Sequence, residues 1–335
     1  MNDLELIDVK LVAEQEFNWE RLTNKTVLLS GGTGFIGSFI INVFRYRNKY
    51  HNQGIKVISL SRRGGNSDSN IKYVKADITK EIKIEEHVDF VLHLASNTHP
   101  KQYGSDPVGT ITTNVIGCNN LLSFSSLNHV ERFLLASSVE IYGEGSNFPM
   151  NELYSGYINC NDARSGYNEA KRTCEALCQS YKSQYNIDIV IARLSRVFGA
   201  DTKDDSKAMA QFMSKAVAGK DILLKSKGNQ RYSYCYVADA ASGILKVLLD
   251  GKNGEAYNIS DDDENLTLRE YANYLANISG NKVNMQIEEN KNTSKSINAI
   301  LDTNKIKQLG WHPIFTVSDA LMRTYKIYKE RILKN

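Results

Sequence analysis

Tyr167 and Lys171 stand four residues apart in Arg164-Ser165-Gly166-Tyr167-Asn168-Glu169-Ala170-Lys171-Arg172. On a helix that spacing places both side chains on one face, one turn apart. An ammonium beside a phenol favours the phenolate, and a phenolate can exchange a proton with a carbinol. The spacing by itself equally fits an exposed tyrosine and a solvated lysine. Upstream, the apolar run Phe133-Leu134-Leu135-Ala136 ends in Ser137-Ser138-Val139-Glu140-Ile141-Tyr142-Gly143. Ser138 can hydrogen-bond the hydroxyl that Tyr167 deprotonates. Glu140 suits an acid/base or a loop cap. Each of the two, taken alone, also suits a structural role.

A second constellation is Ser30-Gly31-Gly32-Thr33-Gly34-Phe35-Ile36-Gly37, which follows the apolar run Thr26-Val27-Leu28-Leu29 and precedes residues with helical apolar spacing. Strand, glycine turn and helix in that order form a dinucleotide-binding pattern. Glycines let a pyrophosphate approach backbone N–H groups at a helix N-terminus. Gly31 suits the tight turn, Gly34 the phosphate approach and Gly37 the packing of helix on strand. The flanking strand and helix are what separate this reading from an ordinary glycine turn.

The elements that must position these groups alternate. Short, nearly all-apolar segments predict strands at 26–30, 55–61, 71–76, 88–95, 131–138 and 187–194, with helices near 36–50, 110–127 and 165–185. Such strands suit a parallel sheet covered on both faces, and in a doubly wound sheet ligands lie beyond the C-terminal strand ends. After Gly199 the pattern loosens. Helices are expected near 207–218, 238–250, 267–278 and 316–333, with an aromatic-rich strand from Tyr232 to Val237 and a strand at Tyr257-Asn258-Ile259 returning to the first sheet. The fold class is therefore α/β, a Rossmann doubly wound parallel sheet with a smaller interleaved C-terminal substrate region. Its expected boundaries are an N-terminal extension at 1–25, a dinucleotide domain at 26–198 to which 232–260 returns, and a substrate region at 199–231 and 261–335. The extension is expected to carry an amphipathic helix around Leu11 to Leu22, docked through Phe17 and Trp19.

Bulk properties narrow the function classes. A chain of 335 residues with 41% hydrophobic and 24% charged residues is ordinary for a globular protein. Its formal charge is only +3, with no long basic block, which gives nucleic-acid binding little support. No apolar run approaches the roughly 20 residues of a spanning helix. The cysteines are Cys118, Cys160, Cys174, Cys178 and Cys235. Cys174 and Cys178 share a helix, but no histidine or second cysteine pair completes a metal-ligand set. Reduced structural thiols, a cytoplasmic location and no metal are the expectation.

With the glycine turn, the Ser138 strand end and Tyr167/Lys171 in this order, the chain resembles the extended short-chain dehydrogenase/reductase family from Thr26 to about Lys326. Further local matches are Asp77-Ile78, His93-Leu94-Ala95-Ser96, Thr113-Asn114-Val115-Ile116-Gly117 and Tyr236-Val237-Ala238-Asp239. Asp106-Pro107-Val108 and the run from Gly166 to Cys178 most resemble the nucleotide-sugar branch, particularly UDP-glucuronate decarboxylases and 4-epimerases. The resemblance implies that Tyr167 is the general base, that Lys171 holds the nicotinamide ribose, and that Ser138 orients the sugar 4-hydroxyl. It implies an adenine contact by Asp77 and Ile78, and cofactor or substrate contacts from Leu94, Ala95, Ser96 and Asn114. Hydride would leave C4 of a nucleotide sugar, giving a 4-keto intermediate. Re-reduction, loss of water or loss of carbon dioxide would follow. A homodimer, formed through the helices near 110–127 and 165–185, is implied as well.

Four departures from the family pattern bear on the reaction. Dehydratases of the branch place an Asp-Glu pair where this chain has Val139-Glu140, which counts against dehydration, while Glu140 matches the glutamate of decarboxylases. The second strand ends Ser61-Arg62-Arg63, with no acid for a ribose 2′-hydroxyl. Arginines there suit a 2′-phosphate, so NADP is favoured over NAD. Arg196 stands where related enzymes carry Asn, and would face the substrate pyrophosphate or a sugar carboxylate, or brace the loop. Arg231 is one position off the phosphate-gripping arginine, and a one-residue shift in a strand reverses the face. The leading function is an epimerase or decarboxylase type of nucleotide-sugar enzyme. The alternatives are an NADPH-dependent reductase of a nucleotide-linked keto sugar or ketose, and a non-catalytic cofactor-binding regulatory module.

Overall fold

The computed structural model describes residues 2–96, 104–145, 149–200, 207–261, 265–286 and 298–333. Its first half runs α1 (Asp3–Ala13), β1 (Thr26–Ser30), α2 (Phe35–His51), β2 (Lys56–Ser61), β3 (Ile71–Lys75), β4 (Phe90–His93), α3 (Pro107–Leu127), β5 (Arg132–Ser138), α4 (Gly166–Tyr185) and β6 (Ile189–Leu194). There follow β7 (Arg196–Phe198), α5 (Ala208–Val217), β8 (Ile222–Leu224), β9 (Arg231–Tyr232), β10 (Tyr234–Tyr236), α6 (Val237–Asp250), β11 (Ala256–Ile259) and α7 (Leu268–Ser279). The last elements are β12 (Val283–Met285), β13 (Asn298–Ala299), α8 (Asn304–Lys307) and α9 (Val317–Leu333).

Seven strands form one sheet in the order β11-β6-β5-β4-β1-β2-β3, and every pairing in it is parallel. The all-apolar strands are explained by burial on both faces. In β5, Leu134 and Ala136 belong to the core beneath α2 and α6, while Phe133 and Leu135 belong to the core beneath α3 and α4. The same two-residue alternation divides Val190 and Ala192 from Ile189 and Ile191 in β6. The strand order reverses between β1 and β4, and the crevice opens at that switch point, as the connection rules for such sheets require.

Local signals set the helix limits. Asp106 caps α3 by accepting from the Gly109 N–H, with Pro107 in the first turn. Thr267 and Glu270 form a reciprocal capping box on α7. Asn186 takes φ +55° to end α4.

Two sequence expectations need correction. The amphipathic helix expected around 11–22 is instead α1, started by an Asn2/Glu5 capping box, with a separate 3₁₀ turn at Trp19–Leu22. Phe17 and Trp19 do dock: Trp19 is buried, Phe17 packs on the same core, and the Arg47 guanidinium lies 4.7 Å from the Trp19 ring. The aromatic strand expected from Tyr232 to Val237 is split, because Ser233 turns its N–H to the Ala299 carbonyl and Val237 already opens α6. β9 pairs with β13 and β10 with β7. The expected return of 257–259 to the main sheet occurs as β11, beside β6.

Candidate active site

The crevice above the strand ends has a volume of about 1480 Å³, more than the roughly 300–1,000 Å³ of a pocket for one small ligand. Its floor is the glycine turn. Gly31 has φ +83°, and a Cβ there would lie 2.9 Å from the Ala95 backbone nitrogen. At Gly37 an added Cβ would fall 2.3 Å from the Gly31 carbonyl oxygen. Both positions need glycine for the turn to close against β4 and against its own helix. Gly34 is the N-cap of α2 and supplies no side-chain cap, so the first N–H groups of the helix face the crevice over Phe35 and Ile36. Gly31, Thr33, Gly34, Phe35, Ile36 and Gly37 all line it. This cradle fits a dinucleotide pyrophosphate.

Arg62 and Arg63 are exposed and line the same crevice with Asp77 and Ile78. Asp77 accepts from both the backbone and the hydroxyl of Thr79. These bonds, with lesser help from the nearby Lys80 and Arg62 charges, hold its carboxyl below the ordinary range. Leu94, Ala95 and Ser96 form the adjoining wall. Behind them, Ser30 Oγ accepts from the Ala95 N–H and shares a 2.8 Å hydrogen bond with His93 Nδ1. His93 is fully buried, and burial together with the Lys171 charge pushes its pKa down to about 3. The imidazole is therefore neutral. Asn114 is not among the described lining residues. It stands one layer back, accepts from Ser96 Oγ at 2.7 Å and donates to the Thr110 carbonyl at 2.8 Å.

The opposite wall carries the proton-transfer candidates. α4 begins beside β5 and presents Tyr167 and Lys171 on one face, both nearly inaccessible at 4% and 3% exposure. Lys171 Nζ donates to the Ala136 carbonyl at 2.9 Å and lies 5.9 Å from the centre of the Tyr167 ring. Burial decides against the solvated-lysine alternative. Ser138 caps the turn after β5, its Oγ accepting from the Glu140 N–H at 3.2 Å, and both residues line the crevice. Ser137 Oγ and Ser195 Oγ, also at strand ends in the crevice, are buried without hydrogen-bond partners. Such buried hydroxyls without protein partners suit a hydroxyl-rich ligand.

Arg196 lines the crevice with Glu140 and Tyr232. Its guanidinium stacks 3.8 Å from the centre of the Tyr232 ring, Nη2 is 3.6 Å from Glu140 Oε1, and Nη1 is buried without a hydrogen-bond partner. Arg231 points elsewhere: it is exposed, is absent from the described lining residues, and gives its Nη1 to the Asn265 carbonyl. Tyr232 takes the crevice-facing place, as the reversal of faces along a strand requires. Tyr232 and Asn168 also line the crevice, although no motif in the sequence singles them out. Asn168 follows Tyr167 directly, and its Nδ2 donates to the Glu140 carbonyl at 2.8 Å and to Glu140 Oε2 at 3.2 Å. The adjacency was the available signal.

Three buried thiols, Cys118, Cys174 and Cys178, sit between α3 and α4 as free cysteines. No group of metal-binding side chains occurs among the described residues, and no helix among them is long and apolar enough to cross a membrane.

Residues 27–260 match the model of the NAD dependent epimerase/dehydratase family. The chain belongs to that family. Among the relatives of this family member is UDP-glucuronic acid decarboxylase 5 of Arabidopsis thaliana, 31% identical over 309 residues, 89% of this chain and 88% of the relative. UDP-glucuronic acid decarboxylase 1 of Danio rerio is 26% identical, covering 97% of this chain and 76% of its own. Among solved structures, UDP-glucose 4-epimerase from Thermotoga maritima superposes with a TM-score of 0.78 at 24% identity, over 92% of this chain and 99% of that one. A dTDP-glucose 4,6-dehydratase from Streptomyces venezuelae, crystallised with NAD, gives 0.78 at 24% identity over 91% and 97%. These likenesses confirm the doubly wound fold.

Proposed function

We propose that this family member removes hydrogen from the C4 carbinol of a nucleotide-linked sugar and then completes an epimerisation or a decarboxylation through the 4-keto sugar. The observation that carries the reading is the buried Tyr167/Lys171 pair, tied to β5 through the Ala136 carbonyl and lining the same crevice as Ser138 and the glycine cradle. Tyr167 accepts the carbinol proton, Ser138 orients the hydroxyl, and Lys171 stands one helical turn from the phenol. Lys171 also has donors to spare for a ribose hydroxyl, since an ammonium carries three N–H groups and the Ala136 carbonyl takes one. A bound nicotinamide would supply the hydride acceptor and, in either outcome, the donor that returns hydride to the 4-keto sugar, so the cofactor would be regenerated.

Arg62 and Arg63 would hold an adenosine 2′-phosphate, which favours NADP over NAD. Glu140 and Arg196 face the part of the sugar beyond C4. With Val139 apolar and buried, Glu140 lacks the second acid that elimination of water would use. Arg196 supports the uronate reading, because its unpartnered Nη1 suits a carboxylate. Arg231 remains a substrate contact only on rearrangement of β9. The region at 199–231 and 261–335 is the proposed substrate side of the molecule. A homodimer through α3 and α4 is supported by the exposed Val108, Ile111, Ile116 and Leu127 on α3. A cytoplasmic location fits the free cysteines.

The test is a panel of UDP-, CDP-, GDP- and dTDP-sugars, uronates included, incubated with purified protein and analysed by mass spectrometry. Turnover without added cofactor supports the proposal. Sustained loss of NADPH absorbance with a keto-sugar nucleotide favours the reductase alternative, for which the paired arginines are the specific observation.

A further inference from the structure

The crevice face of α4 carries Tyr167 and Lys171, but the neighbouring stripe, Asn168 and Arg172, has its own pattern of contacts. Asn168 Nδ2 donates to the Glu140 carbonyl at 2.8 Å, and Arg172 Nε donates to the Ile141 carbonyl at 2.7 Å. Arg172 Nη2 reaches on to the Gly156 carbonyl at 2.7 Å. One helix thus holds the phenol on one stripe and, on the adjacent one, grips two successive carbonyls of the turn that bears Glu140. Only Asn168 also touches the carboxylate, at Oε2. The other oxygen, Oε1, is left toward the Arg196 guanidinium at a loose 3.6 Å.

The consequence is mechanical. Glu140 and Tyr167 belong to different elements, and a half-exposed glutamate keeps its rotamer freedom unless its carboxylate is held. The two protons of a single amide remove that freedom without adding charge, one fixing the turn and the other the carboxylate. We infer that Asn168 is a positioning residue that registers the Glu140 carboxylate against the Tyr167 phenol and keeps it from closing onto Arg196. The inference rests on the proposed two-step reaction: Tyr167 and Lys171 serve the first oxidation, and Glu140 serves the step beyond C4.

Two measurements test it. In a single turnover of the holoenzyme on its best nucleotide sugar from the panel, Asn168→Ala should form reduced nicotinamide within threefold of the wild-type rate. Final product should be released at least tenfold more slowly, with KM little changed. Asn168→Gln, which keeps the two-proton donor, should recover part of the loss, and Asn168→Asp should recover none. A merely structural residue would slow both steps together and follow thermal stability. Crystal structures of wild-type holoenzyme and Asn168→Ala provide a readout that needs no turnover: Glu140 should swing from its wild-type position into a closer pair with Arg196. An unmoved carboxylate, or equal slowing of both steps, overturns the inference. Failure of the wild type on every sugar would defeat the proposed function instead, and the crystallographic comparison would still judge the role of Asn168.

Discussion

Lys171 Nζ is bonded to the carbonyl of Ala136, the residue two places before Ser138 on β5, at 2.9 Å. That bond joins the helix bearing Tyr167 to the strand that ends in Ser138. It also buries an ammonium beside Tyr167 and His93, so that its field acts across little water.

Replacing Tyr167 by Phe should lower kcat by about 10²–10⁴, the range of one general acid–base group. Dinucleotide binding, followed by fluorescence titration, should stay within twofold, because the phenol belongs to α4 and the pyrophosphate cradle to the turn between β1 and α2. An unchanged rate would remove Tyr167 from the mechanism.

The double variant Arg62→Ala/Arg63→Ala should bind NADP at least tenfold more weakly, since a charge-assisted hydrogen bond contributes about 1.5–3 kcal/mol. NAD affinity should change by less than threefold. Equilibrium titration of both dinucleotides decides it, and equal losses for the two would sink the 2′-phosphate assignment.

His93 links stability to acid. Its pKa is near 3 in the fold, because it is buried and faces the Lys171 charge, against about 6.5 when unfolded. The unfolded chain therefore takes up a proton that the folded one refuses. Stability from this group is present above about pH 6.5 and is lost as pH falls toward 3, by up to about 1.4 kcal/mol per unit. Denaturant midpoints of His93→Asn measured from pH 7 to 4.5 should fall less steeply than those of the wild type.

Asp239 acts in the other direction. Burial pushes its carboxyl up to about 8, against the opposing pull of the Ile314 N–H, which donates at 2.6 Å. The folded chain holds a proton that the unfolded chain releases near pH 4. This contribution is complete below about 4 and is lost as pH rises through 8. Asp239→Asn, which keeps an acceptor for Ile314, should flatten the fall in denaturant midpoint between pH 6 and 9. A slope identical to wild type would contradict the buried-acid account.

Much of the architecture was legible because its signals are local. Apolar runs such as Ile187 to Leu194 identify doubly covered strands, and Gly31 to Gly37 can turn only where side chains are missing. The N-terminal helix was misplaced because its start depends on the Asn2/Glu5 capping box, a weaker signal than the aromatic pair Phe17 and Trp19 farther along. The break between β9 and β10 left no mark in composition, since the pairing of Ser233 with Ala299 joins distant parts of the chain.

The amino-acid order by itself determined the parallel α/β sheet, the glycine cradle and the one-turn spacing of Tyr167 and Lys171, because each follows from periodicity or from a missing side chain within a few residues. The three-dimensional packing alone decided that Lys171 is buried, that Tyr232 and not Arg231 faces the crevice, and that Asn168 holds Glu140. Those facts depend on burial and on contacts between segments remote along the chain, for which short-range spacing holds no information.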